Sequence, residues 1–324
     1  DDGDELDQLE HGRNVLAPAP TASGSFFGEP VQAGGFLHPL DLRAFGGDGT
    51  GIDYKDISIG MISGNGIYPP TFARAARRGG VATLVAAGFH DETDVPEISQ
   101  LVDELELFRV GQLGKMIKFF KRAGVQKAVM VGQIAPKNLF DLRPDMRTLM
   151  LLGKLKQRNA ETIFNAIGEE LAKDGIELLP ATTFLEDLLA VVGHVCGPPP
   201  DKKLAHDIEF GFEIAKQVSR LDIGQTVVVR RGTVLAVEAF EGTNEAIKRG
   251  GALGKGKAVV VKVSKPNQDF RFDVPVIGPA TIEVAAAAGV VAIVVEAGKT
   301  LLLGKDEIME KCDELGVTVV GHAS

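Results

Sequence analysis

The chain has 324 residues, enough for two domains of ordinary size, and its 44% apolar and 24% charged residues exclude a disordered or fibrous composition. A net charge of −9 excludes a general nucleic-acid binder, because neutralising many phosphates needs a surplus of Lys and Arg. Cys196 and Cys312 lie outside any ligand-spaced cluster and no run approaches the roughly 18 apolar residues that cross a bilayer, so neither a disulfide scaffold nor a spanning protein is expected, and the location reads as cytoplasmic.

Residues 1–54 mix Asp, Gly, Pro and Ala without helical or strand periodicity and read as a flexible N-terminal extension. The run from Ile57 to Ile62 is β-prone and stops at the turn Ser63-Gly64-Asn65-Gly66. Pro69 and Pro70 then open a helix reaching Arg78, and Val81 to Ala87 reads as a second strand. The cadence recurs in a helix from Leu113 to Arg122 and a strand from Ala128 to Val131. A helical stretch from Met146 to Lys173 and a strand from Ile176 to Leu179 follow. This alternation predicts a Rossmann-like parallel-sheet domain over residues 55–192. The prolines of His194-Val195-Cys196-Gly197-Pro198-Pro199-Pro200 argue against regular structure and place a linker at 193–201. Beyond it, a helix from Ala205 to Leu221 precedes strands at Thr226–Val229, Val234–Ala239, Ala258–Val263, Val290–Val295 and Thr318–Val320. The fold class is therefore α/β, with a smaller C-terminal α/β domain over 202–324.

An open parallel sheet binds ligands at the carboxyl ends of its strands, which is where Gly64-Asn65-Gly66 falls. The dinucleotide pattern G-x-G-x-x-G is absent there, leaving phosphate contact or a tight structural turn. The run KVSKPNQDFRFDVP, Lys262 to Pro275, is richer. Strand alternation would put Asp269, Arg271 and Asp273 on one face and Phe270 and Phe272 on the other. Carboxylates that can hold Mg²⁺, beside Lys262 and Lys265, suit a phosphorylated ligand; the alternative is a ladder of mutually satisfied surface charges. In Glu238-Ala239-Phe240-Glu241-Gly242-Thr243-Asn244 a strand ends before a helix expected at about Glu245. There Glu238 and Glu241 could reach a metal, or Thr243 or Asn244 could simply cap the helix. Gln112 and Lys115, in Gly111-Gln112-Leu113-Gly114-Lys115, surround another helix start that serves a ligand or ends a loop. The six histidines show no zinc spacing, and no G-x-S-x-G marks a serine hydrolase.

In SGNG, GQLGK, DLRPD, LDIGQ, VLAVEAFEGT, KPNQDFRFDVPVIGP and EAGKTL, from about Ile57 to the C-terminus, the chain resembles the LpxI-type UDP-2,3-diacylglucosamine pyrophosphatases of lipid A synthesis. The resemblance implies metal-dependent hydrolysis of UDP-2,3-diacylglucosamine to UMP and 2,3-diacylglucosamine 1-phosphate, with Mg²⁺ or another divalent metal and the ligand in a cleft between two domains. By its R-x-D-x-P context the family's essential aspartate falls on Asp273, as metal ligand or as the carboxylate that orients water. Arg271, Lys262 and Lys265 would stabilise pyrophosphate charge. Asp273, Asp269 and Glu241 form the expected metal set. Gly64, Asn65, Gly66, Gln112, Lys115, Thr243, Asn244, Lys262, Lys265 and Gln268 form the expected substrate set. A diacylated substrate also implies transient contact with the inner-membrane surface, although no amphipathic anchor stands out, and the resemblance leaves room for a homodimer. The family's E-G-T-D reads Glu241-Gly242-Thr243-Asn244 here, and Arg158-Asn159-Ala160-Glu161 stands where G-D-D is common. The alternative is a protein of this fold that binds a nucleotide-linked sugar or lipid without hydrolysing it.

Overall fold

The computed structural model describes residues 54–134, 144–157 and 159–324. The expected extension lies outside these residues except for Tyr54. That ring is not part of a tail: it is buried edge-on to Phe184, with centroids 4.9 Å apart.

The first sheet is parallel throughout, in the order β3-β2-β1-β4-β5. Its strands are β1 (Ser58–Ser63), β2 (Thr83–Phe89), β3 (Glu104–Phe108), β4 (Val125–Val131) and β5 (Glu177–Leu178). Helices cover both faces, so β1, β2 and β4 carry nearly unbroken apolar runs rather than alternation. Helix α1 (Tyr68–Arg78), its first turn stiffened by Pro69 and Pro70, buries Phe72 and Ala76 on one face, beside the short α2 (Val95–Ile98). On the other face α3 (Leu113–Arg122) inserts Met116, Ile117, Phe119 and Phe120. The single helical stretch expected from Met146 to Lys173 is two helices, α4 (Met146–Lys154) and α5 (Ala160–Lys173). The second begins where the Asn159 carboxamide accepts from the Thr162 amide at 2.9 Å, which restarts the helix after an extended Leu155.

The second sheet mixes directions, in the order β6-β13-β11-β9-β7-β8. Strand β6 (Gly193–Cys196) corrects the expected linker: it pairs antiparallel with β13 (Thr318–His322), and the prolines only end it. After α6 (Ala205–Arg220), β7 (Thr226–Arg230) and β8 (Thr233–Val237) form a hairpin. The buried Asp207 carboxylate fixes its turn by accepting from the Arg231 and Gly232 amides at 2.7 and 2.8 Å. Helix α7 (Thr243–Gly254) leads to β9 (Ala258–Lys262), and α8 (Pro279–Ala287) to β11 (Val290–Glu296). Alternation sorts the residues cleanly. Val227, Val229, Val259, Val261 and Val294 meet α6, whereas Val228, Val260, Ile293 and Val319 meet α7, α8 and α9 (Lys305–Leu315). Expected to be the smaller half, this part carries the wider sheet.

Between the two cores runs a ribbon of β10 (Val276–Ile277) and β12 (Leu301–Leu302), paired in parallel. Val276, Leu301 and Leu303 pack into the first core, while Ile277 and Leu302 enter the second. Helix α7 approaches β7 so closely that a Cβ on Gly250 would stand 2.4 Å from Val228 Cβ. We therefore expect Gly250→Ala to overpack this contact and lower stability by about 1–3 kcal/mol in urea unfolding. An unchanged midpoint would mean that α7 can lift off the sheet at no cost.

Candidate active site

Strand β9 is buried along its whole length and ends at Lys262, beyond which the chain leaves the sheet. Its exit is pinned. The Val263 amide donates to the Gln225 carbonyl at 2.9 Å, and both the amide and the hydroxyl of Ser264 donate to Glu296 Oε2 at 2.8 Å. Glu296 is fully buried at the end of β11. Lys216 joins it at 3.0 Å and Lys299 at 2.7 Å, and the Ser324 hydroxyl also donates to it. Burial pushes this carboxyl up, yet the bonds from Lys299, Ser324 and Ser264 outweigh it and hold it at about 2.

From Lys265 to Asp273 the chain is a series of turns, so the expected strand alternation fails. Gln268 Oε1 accepts from the Lys265 amide at 2.8 Å, and the Asp269 carbonyl accepts from the amides of Phe272 and Asp273. Asp269 and Arg271 face each other instead of sharing a ligand face: guanidinium Nη2 reaches Asp269 at 2.5 Å and Asn165 of α5 at 2.7 Å. Phe272 stacks at a tilt on Phe164, centroids 5.5 Å apart, and the Phe270 carbonyl accepts from the Ala181 amide at 2.7 Å. The segment thus lies across the first half of the fold while rooted in the second sheet.

Asp273 remains with Lys262, Lys265 and Gln268. Burial pushes its carboxyl above the ordinary aspartate range, against the pull of Lys265, Gln268 and Lys262, with Asp222 adding to the rise. Lys262 is buried, and its Nζ donates to Thr243 Oγ1 at 3.1 Å; that hydroxyl donates onward to the buried Glu238 carboxylate at 2.8 Å. Burial lowers the pKa of the Lys262 ammonium, although Glu238 and Asp273 oppose it. Lys265 is ion-paired with Asp222, which outweighs its own burial and lifts its pKa. Among the described residues four buried side-chain atoms lack a hydrogen-bond partner. Two of them, Gln225 Oε1 and Thr226 Oγ1, belong to neighbouring residues beside the exit of β9 at Lys262 and Val263. Unspent polar atoms concentrated at one place mark a surface prepared for a polar ligand.

Other expected residues fall elsewhere. Thr243 opens α7 two residues before the expected start and does not cap it; its hydroxyl serves Glu238 and Lys262, while Asn244 is exposed in the first turn. Glu241 is held by Arg249 at 2.7 Å and by the Ala239 amide. With Asp269 clasped by Arg271, the set Asp273, Asp269 and Glu241 is not one cluster. No three His, Cys, Asp or Glu side chains among the described residues converge as metal ligands. The amides of Gly64 and Asn65 donate to the Val131 and Gln133 carbonyls at 2.9 and 2.8 Å, so neither is free for phosphate. Gly64 is required by contact, because a Cβ there would lie 2.4 Å from the Gln133 carbonyl oxygen, and Gly66 follows in the left-handed region at φ 85°. The Asn65 side-chain carboxamide nitrogen donates to the carboxylate of the buried Glu92. Gln112 Oε1 accepts from the Arg109 amide, and Lys115 sits exposed on α3, whose first amides are capped by Asp145. In the DLRPD motif Pro144 and Asp145 are described and the rest is not. Arg158 likewise lies outside the described residues.

Sequence reasoning missed Asp222, Gln225, Thr226 and Glu296. Asp222 and Gln225 lie in the run LDIGQ, and Glu296 opens EAGKTL, but nothing local in either run tells which strand end it will meet.

Family models match both halves of the chain: the LpxI N-terminal domain over residues 58–188 and the LpxI C-terminal domain over residues 192–320. The UDP-2,3-diacylglucosamine pyrophosphatase LpxI of Caulobacter vibrioides is 31% identical over 276 residues, covering 81% of this chain and 96% of that protein. The chain belongs to the LpxI family.

Because the Glu296 carboxyl falls from its ordinary 4.5 to about 2 on folding, its stabilisation is complete above pH 4.5 and is lost as pH falls toward 2. Between those values the wild type should lose on the order of 2–3 kcal/mol that Glu296→Gln, already weaker at neutral pH, does not lose. Parallel unfolding curves for the two proteins across that window would show the carboxylate to be unimportant.

Proposed function

We propose that this member of the LpxI family hydrolyses UDP-2,3-diacylglucosamine, releasing UMP and 2,3-diacylglucosamine 1-phosphate. The observation that carries the reading is the group of buried Lys262 with half-buried Lys265, Gln268 and Asp273, with unspent polar atoms beside it, on a segment spanning both halves of the fold. Its chemistry fits a pyrophosphate set between the two halves, and the name of the Caulobacter relative supplies the substrate.

Water adds to one phosphorus, the bridging P–O bond breaks, and both of the water's protons pass to solvent as the two products ionise to phosphate monoester dianions. Lys262 and Lys265 offset the charge that builds on the phosphate oxygens, and the low-dielectric surroundings of Lys262 strengthen that effect. Asp273, its carboxyl raised by burial, accepts the water's proton or orients the water. Glu238 holds the Thr243 hydroxyl, which in turn fixes where the Lys262 ammonium points. Arg271 acts as a positioning residue, since Asp269 and Asn165 engage its guanidinium.

Asp273 is the residue that would hold a Mg²⁺, an ion that takes oxygen ligands and needs few from the protein. When bound, it would offset further charge on the leaving phosphate. A diacylated substrate resides in a bilayer, so contact with a membrane surface belongs to the same reading.

UMP release from UDP-2,3-diacylglucosamine, with and without Mg²⁺, tests the proposal. We expect metal-stimulated release in the wild type and a fall of about 100-fold or more in Asp273→Ala. A folded wild type that binds the substrate yet releases no UMP with any divalent metal would make the chain a binding protein.

A further inference from the structure

Helix α4 is apolar on two faces. Inward it buries Thr148 and Leu151; outward it exposes Met146, Leu149 and Met150 by 71%, 50% and 57%, at positions i, i+3 and i+4 of one stripe. An apolar stripe on the outward side of a helix is normally covered by a partner or an interface. The stripe adjoins a groove of about 800 Å³ between α4 and α3 whose charged rim includes Lys115, Lys118 and Lys154.

The acids of that groove are already engaged. Asp145 accepts from the Gly114, Lys115 and Thr148 amides, Glu170 pairs with Arg147 and Lys173, and Asp174 pairs with Lys121 and Arg147. The charge left over is therefore positive, on a chain whose net charge is −9. Exposed flexible methionines and a leucine within a collar of lysines are what an interfacial surface needs: apolar tips for the acyl boundary and ammonium groups for anionic headgroups.

We propose that the α3–α4 face docks the protein on a bilayer containing anionic lipids. It is the amphipathic anchor that the sequence did not show, because its apolar tips and its lysines come from two helices. The proposal rests on the lipid-substrate reading above, which requires the protein to meet a membrane; binding is nevertheless measured apart from turnover.

The test is flotation of the full chain with vesicles of phosphatidylcholine mixed with phosphatidylglycerol, and with phosphatidylcholine alone. Wild type should float with the mixed vesicles only, and less so in high salt. Lys118→Glu/Lys154→Glu and Leu149→Ser/Met150→Ser should each weaken partitioning by about tenfold or more. UMP release from detergent-dispersed substrate should not change in either variant, which also shows that both remain folded. Flotation without UMP release would support the docking face while sinking the pyrophosphatase reading. The docking proposal is overturned if wild type ignores anionic vesicles, if the variants float undiminished, or if they dissociate a dimer seen by sedimentation, since the face would then be a subunit contact.

Discussion

Val276 enters one hydrophobic core and Ile277 the other, and across the same short ribbon Leu301, Leu302 and Leu303 alternate in register with them. Because side chains of an extended chain point alternately to its two faces, a ribbon between two cores can serve both only in one register. A one-residue slip would exchange the two sets and leave each core with residues shaped for the other. Asp273 stands three residues before this ribbon and eleven after Lys262. The span between them is irregular, so the ribbon at one end and the Glu296 anchor at the other set where the carboxylate lies.

Buried charge appears here in two forms. Glu296 is saturated: the amide and hydroxyl of Ser264, the ammonium groups of Lys216 and Lys299 and the Ser324 hydroxyl all donate to it. A fully satisfied carboxylate offers nothing to a ligand and holds a loop exit in one geometry. Lys262 is the opposite case. Its ammonium has three donors, and the bond to Thr243 uses one. Desolvating an ammonium without matching acceptors is costly, so the site is tolerable alone and better satisfied once an anion supplies oxygens.

What was legible in the sequence followed from locality. Helix α3 was placed to the residue, because its apolar positions recur at helical spacing and Ala123-Gly124 ends it. The parallel sheet was legible because the helix-to-strand returns at Gly79-Gly80, Gly124 and Gly175 pass through glycine. The edge strand β6 was hidden by the prolines behind it, and β3 by its brevity, although Glu104-Leu105-Glu106-Leu107 alternates. At the site, Lys262, Lys265, Gln268 and Asp273 share one run and so could be found together. Glu238 was seen as a metal candidate, but its tie to Lys262 through Thr243 depends on pairing between strands far apart in sequence. The failed alternation from Asp269 to Asp273 had a warning in Pro266-Asn267, a turn signal that disfavours a continuing strand. The three carboxylates of the expected metal set are also not gathered together, for a related reason: Arg271 and Arg249 engage two of them.

The responses of Lys262 and Asp273 bear on what the site can hold. Burial moves each toward its neutral form, lowering the lysine's pKa and raising the aspartic acid's, while each partly restrains the other. A pyrophosphate beside them would favour the ammonium of Lys262, reversing the effect of burial there. The same anion would push Asp273 further toward protonation, which removes the carboxylate that the proposed reaction uses. A cation arriving with the phosphate oxygens cancels that second effect and leaves the first largely intact. An anion and a cation that arrive together therefore suit this pair of residues better than either does alone, which is the electrostatic reason behind the proposal that Asp273 would hold a metal.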